Sequence, residues 1–118
     1  MTILDDVKLD LGLPPDYDVY DPSVQRHINT AIARLVQLGI GPPQGFRLKT
    51  GTETWEQFLG ATEEFEDAKG YIFQRVKLMF DPPATSFHIA AVEKQLEELA
   101  WTLNAKWEVT GWTPPTPS

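Results

Sequence analysis

The residues best suited to chemistry are two histidines and two groups of carboxylates. His27 and His88 both fall in the first turns of predicted helices, far apart in the chain. A catalytic imidazole needs an orienting carboxylate and a nucleophile or substrate proton within reach, and no serine–histidine or histidine–carboxylate spacing supplies one. Asp16-x-Asp18-x-x-Asp21 clusters the oxygens a hard cation prefers. It lacks the turn glycine and distal bidentate glutamate of an EF-hand, and reads more simply as an acidic linker ending on a helix cap. Gly39-x-Gly41 with Gly45 is no phosphate loop: Gly-Lys-Ser/Thr is missing, and the segment follows a helix rather than a strand. Glu63-Glu64-Phe65-Glu66-Asp67 places four carboxylates in the first turn of a predicted long helix. The simple account is solvation matched to the helix dipole, about 0.3–1 kcal/mol per group; the functional one is a patch that repels a polyanion or docks a basic partner. No HExxH helix and no cysteine is present, which removes that type of zinc site, disulfides and thiolate catalysis. These readings predict a protein that is not an enzyme and holds neither metal nor cofactor.

The elements that position these residues are helices. Thr2 and Asp5 suit the start of a short helix ending at Leu11–Gly12, where Leu13-Pro14-Pro15 prevents continuation. Asp21-Pro22 reads as an N-cap followed by proline at the first helical position, and Val24, Ile28, Ala31, Ile32, Leu35 and Leu38 trace a stripe over 22–38 that Gly39 closes. Residues 39–54 are turn-rich, and Phe46-Arg-Leu-Lys-Thr50 alternates like a short strand, which needs a partner, such as one from a neighbouring subunit. Thr54 caps a short helix carrying Trp55, Phe58 and Leu59, ended by Gly60. A long helix then runs from Thr62 to Phe80, stops at Asp81-Pro82-Pro83, and is followed by another, capped by Thr85 or Ser86 and continuing to Trp107. Residues 108–118, with Trp112, Pro114 and Pro115, read as an extended tail. The expected fold is therefore all-α: a small bundle of four to five helices over 1–107 with a long C-terminal helical hairpin, a loop at 39–54 able to carry a strand, and the tail.

At 118 residues the chain is one domain with a modest core, and its net charge of −7 is unevenly placed. Six acids face one lysine in 1–21 and again in 52–70, whereas 22–51 hold only Arg26, Arg34, Arg47 and Lys49. Such a balance argues against tight nucleic-acid binding, which needs cations to displace condensed counterions. No apolar run approaches the roughly 20 residues that span a bilayer, and no secretory signal is visible, so a soluble protein made in the cytoplasm, with no membrane partner, is expected. The long hairpin carries more apolar residues than one buried stripe requires. Tyr71, Leu78, Phe80 and Trp101 are the surplus, Trp101 pointing away from the stripe of Leu96, Leu99 and Leu103. Tryptophan is enriched at interface hot spots, so Trp101, Trp107 and Trp112 together predict an intermolecular contact.

Taken in order, Leu4-Asp-Asp-Val-Lys-Leu-Asp-Leu-Gly12, Val24-x-x-His-Ile-Asn-x-Ala-x-x-x-Leu-x-Gln-Leu-Gly39, Thr54-Trp-Glu-Gln-Phe58, Tyr71-Ile-Phe-x-x-Val-Lys-Leu-x-Phe-Asp-Pro-Pro83 and Glu98-Leu-x-Trp-x-Leu103 resemble the head–tail connector (adaptor) proteins of long-tailed bacteriophages. The resemblance spans most of residues 3–107. It implies a small non-enzymatic helical subunit of the virion neck that docks beneath the portal protein. Copies would form a ring, usually twelve-fold, that continues the DNA channel toward a tail-side completion or stopper protein. A closed ring needs a heterologous interface. Phe46, Leu48, Tyr71, Leu78, Phe80 and Trp101 are the residues expected there. By the same resemblance Trp107, Trp112, Pro114 and Pro115 would reach the portal. Glu63, Glu64, Glu66 and Asp67, or the N-terminal acids, would face the lumen, where negative charge keeps DNA moving without tight binding. The rival expectation is an acidic inhibitor or DNA mimic occupying a basic site on a host protein, although mimics spread carboxylates more evenly than this chain does.

Overall fold

Thr2 starts the first helix, α1 (Ile3–Asp10), by accepting the Asp5 amide on its hydroxyl at 3.1 Å. The computed structural model describes residues 2–42, 44–60 and 66–110, with side chains as far as Ala105. α2 (Asp21–Gln37) begins and ends one residue earlier than the stripe predicts. Tyr20 is its N-cap, and Asp21, expected as the cap, lies inside the first turn with its carboxylate on Lys8. α3 (Trp55–Leu59) is a single short helix held by a full capping box: Thr54 takes the Gln57 amide and Gln57 returns the bond to the Thr54 amide. α4 (Glu66–Phe80) ends where Asp81-Pro82-Pro83 forbids another turn, and α5 (Ser86–Thr110) restarts from Thr85, whose hydroxyl accepts the His88 amide at 3.2 Å.

The architecture is all-α, with no strand among the described residues; one isolated antiparallel bridge pairs Thr2 with Thr54. α2 and α4 form the central pair, α1 packs across both, and α5 lies along α4. Being covered from two sides, α4 buries more than one stripe: Ala68, Tyr71, Ile72 and Val76 are all inaccessible. Among its described side chains, α5 contributes Leu96, Ala100 and Leu103 at full burial, with Val92 and Leu99 partly covered.

Two expectations are corrected here. The strand predicted at Phe46–Thr50 does not form, because a side chain satisfies its backbone: Leu48 donates its amide to Asn29 Oδ1 at 2.6 Å and accepts from Asn29 Nδ2 at 3.0 Å. Residues 108–110, predicted as the start of the tail, belong to α5, which continues to Thr110; the rest of the predicted tail, 111–118, lies outside the described residues.

Candidate assembly surfaces

Of the residues expected at a subunit interface, two belong to the subunit's own core. Tyr71 and Leu48 are buried within the hydrophobic cluster, Leu48 at the edge of the α2 groove. Tyr71 sits where α4 is covered on both sides. Burial lifts its phenol above the usual range, with a further push from Glu97 and a partial counter-pull from Arg75 and Arg34. Its hydroxyl has no hydrogen-bond partner among the described residues. Phe46 is half-buried, stacked on Phe58 with ring centroids 5.1 Å apart. Leu78 and Phe80 are half-buried against the core, and Trp101 remains 61% exposed.

The described residues of α5 expose a second face. Phe87, 78% exposed, lies nine residues from buried Leu96, about two and a half turns away and therefore on the opposite side of the helix. Trp101 shares that outward side. Arg34 Nη2 reaches Glu97 Oε1 at 2.9 Å across the edge between α2 and α5, and Asn104 donates to the Leu38 carbonyl, so this helix is pinned to α2 as well as to α4.

A third surface forms where α1 and α4 end. Lys8 is only 1% exposed: its ammonium donates to the Pro15 carbonyl at 3.0 Å and lies 2.9 Å from Asp21 Oδ1. That second contact is a charge pair without hydrogen-bond alignment, since Asp21 Oδ1 has no hydrogen-bond donor. This anchor folds the connection between α1 and α2 into two turns, Tyr17 amide to Pro14 carbonyl and Asp21 amide to Asp18 carbonyl. Tyr17, Tyr20 and Phe80 run edge to face, with centroids 5.8 and 5.4 Å apart. Leu9 (63%) and Val19 (65%) stand in solvent beside them, among the exposed carboxylates of Asp10, Asp16, Asp18 and Asp81. The Asp16, Asp18 and Asp21 carboxylates thus do not converge as cation ligands would, and no group of three or more His, Cys, Asp or Glu does so among the described residues.

The fourth surface is a groove of about 1530 Å³ along the outward side of α2, walled by Pro42, residues 44–49 and the start of α3. Arg26, Arg47 and Lys49 supply its cations, and Phe46, Val36 and Ala33 its apolar floor. Its wall is fixed by Glu53, whose carboxylate accepts the amides of Lys49, Thr50 and Gly51 at 2.8–3.3 Å. Burial alone would raise the Glu53 pKa, but these backbone donors and its own amide outweigh it and hold the group below the ordinary carboxylate range. Gly41, at φ +101°, lets the wall close onto Phe58; a Cβ there would lie 2.5 Å from the ring. His27, on the flank of α2, is held below the usual imidazole range by burial and then by Arg26.

The acidic segment is seen only in part. Glu66 and Asp67 are exposed at the start of α4, with Glu66 3.0 Å from Lys69, while Glu63 and Glu64 lie outside the described residues. So do Trp112, Pro114 and Pro115, and the Trp107 side chain. Nothing in composition pointed to the Asn29 and Glu53 locks or to buried Lys8. Their signal is distance in the fold: Asn29 binds 19 residues away.

Residues 3–110 match the family described as "Phage connector protein", and the chain belongs to that family. No curated protein and no solved structure matches it. The protein is a structural connector of a phage, associating with other head or tail proteins; none of its described helices is long and apolar enough to cross a membrane.

Proposed function

We infer that this chain joins the phage head to the tail at the virion neck, seated on the portal protein and forming a ring that continues the DNA channel. The family match over nearly the whole chain carries this reading. The surfaces described above support it: a subunit that has already closed its own core still exposes Phe87 and Trp101 on α5 and an aromatic, acidic end at Tyr17–Tyr20. Solvent-facing aromatics of this kind suit contact with other chains. The ring is dodecameric in the virion, its other axial neighbour is a tail-side completion or stopper protein, and the segment around Trp107, Trp112, Pro114 and Pro115 reaches into the portal. Glu63, Glu64, Glu66 and Asp67 face the lumen, where their charge repels phosphates and lets DNA pass unbound. The chain works through binding alone, without catalysis or cofactor.

Mixing the protein with the portal of its own genome and imaging the complex by electron microscopy tests this. A ring of the subunit beneath the portal is expected, weakened by deleting 108–118. Absence of any ring on the portal, with deletion of 108–118 making no difference, overturns the reading.

A further inference from the structure

Two of the surfaces are complementary in both shape and charge. The α1–α2 connection protrudes, with Tyr17 and Val19 exposed in alternation with Asp16 and Asp18. The α2 groove is concave, apolar at its floor and cationic at Arg26, Arg47 and Lys49. Its own carboxylates, Glu53 and Glu56, number fewer than its cations, and Glu53 is engaged with the wall's amides. None of residues 16–20 lines the groove, although it begins at Pro22, two residues beyond Tyr20. The groove follows the outward face of α2, whereas the connection sits at the end built by the C-termini of α1 and α4, which pack on the inward face. One subunit therefore cannot seat its own connection in its own groove, but two copies can pair head to tail.

Size agrees. The groove runs beside α2 from Pro22 to Gln37, about 22 Å at 1.5 Å per residue. Residues 16–20 span at most about 18 Å even when extended, and here they are folded into turns. A contact between unlike faces of identical chains is heterologous, the type that closes a ring when its rotation allows.

We propose that copies of this chain join through this pair of faces, the Asp16–Tyr20 segment of one subunit seated in the α2 groove of the next. The proposal rests on the connector reading and names the contact within it. Val19 and Tyr17 fill the apolar floor beside Val36 and Phe46, while Asp16 and Asp18 meet Arg47 and Lys49. Opposite charge at such a rim directs partner choice and on-rate, and like charge opposes docking.

The absence of cysteine makes the test clean, because introduced thiols are the only ones. Val19→Cys and Thr30→Cys in one chain put a thiol on each face, and neither side chain packs in the core. A short bismaleimide should convert this variant into a ladder of dimers, trimers and larger species, both at high concentration alone and on the portal. The control, Val19→Cys with Ala91→Cys on the exposed side of α5, should give none. A ladder in both variants, or in neither, overturns the proposal. So does protection of Thr30→Cys from maleimide without chain-to-chain products, which would mean that an acidic segment of another neck protein fills the groove. Independently, Asp16→Lys with Asp18→Lys should weaken self-association about tenfold or more, and adding Arg47→Asp and Lys49→Asp in the same chain should restore it. Rings that form on the portal without the 19–30 cross-link overturn this interface and leave the connector reading standing. A chain that neither binds the portal nor enters the neck overturns the connector reading itself.

Discussion

The two long connections of the subunit, 11–20 and 38–54, are held by opposite means. The first is tied at its ends, by Leu11 and Leu13 on the core, by the buried Lys8 ammonium beneath Pro15 and beside Asp21, and by Tyr20 against Phe80, and from residue 14 to residue 20 every side chain is exposed. The second is fastened along its length: Ile40 and Leu48 enter the core, Asn29 grips the Leu48 backbone, Glu53 collects three amides, and Gly41 closes on Phe58. A connection without helix or strand can therefore be either a display of side chains or a structural wall. What separates them is where the backbone donors and acceptors find partners.

Substitutions that cut these anchors should rank accordingly. The largest effect is expected from Leu48→Ala, which empties a buried site in the wall and should cost about 2–5 kcal/mol in chemical denaturation. If it costs under 1 kcal/mol, the wall is not part of the core. Next comes Asn29→Ala, which strands the Leu48 amide and carbonyl; about 2 kcal/mol is expected, with faster hydrogen exchange confined to 46–50. The display side should respond less. Asp21→Asn leaves the Lys8 ammonium buried without its counter-charge. A fully buried pair broken in this way costs about 3–5 kcal/mol, and since Asp21 is partly solvated, about 1–2 is expected here. Lys8→Met removes the buried charge itself and should cost less than Asp21→Asn; the reverse order would show that the hydrogen bond to Pro15, rather than the charge pair, holds this connection. Smallest is a pH effect on the wall. Because the folded Glu53 pKa lies below its unfolded value, its contribution is complete above the ordinary carboxylate range and is lost as pH falls through the folded pKa. Acid titration followed by NMR should show residues 49–51 loosening in that window, and Glu53→Gln should abolish the step.

Much of the helical frame was legible in the sequence because its signals are local. Thr2, Thr54, Gly39, Gly60 and Asp81-Pro82-Pro83 each terminate or start a helix through contacts within a few residues, and the stripe from Val24 to Leu35 repeats at helical spacing. The order of motifs also carried the family. The surfaces were harder, since exposure depends on what packs from outside the element. Tyr71 looks surplus on a helix with one buried side, but α4 has two. Phe46–Thr50 alternates as a strand does, yet its hydrogen-bond partner is an asparagine side chain on α2, which no periodicity reveals. Lys8 is the one charged residue buried in the described core, and no local pattern in the sequence marks it.

That buried lysine also makes the protein its own clock. Acylating reagents are attacked only by a lysine that reaches solvent and sheds its proton there, so the exposed lysines Lys49, Lys77 and Lys94 should acylate quickly while Lys8 waits for the 11–20 connection to lift away. The Lys8 labelling rate, read by mass spectrometry, then measures how often that connection opens. If the neighbouring subunit clamps it, as proposed, the rate should slow when the ring closes.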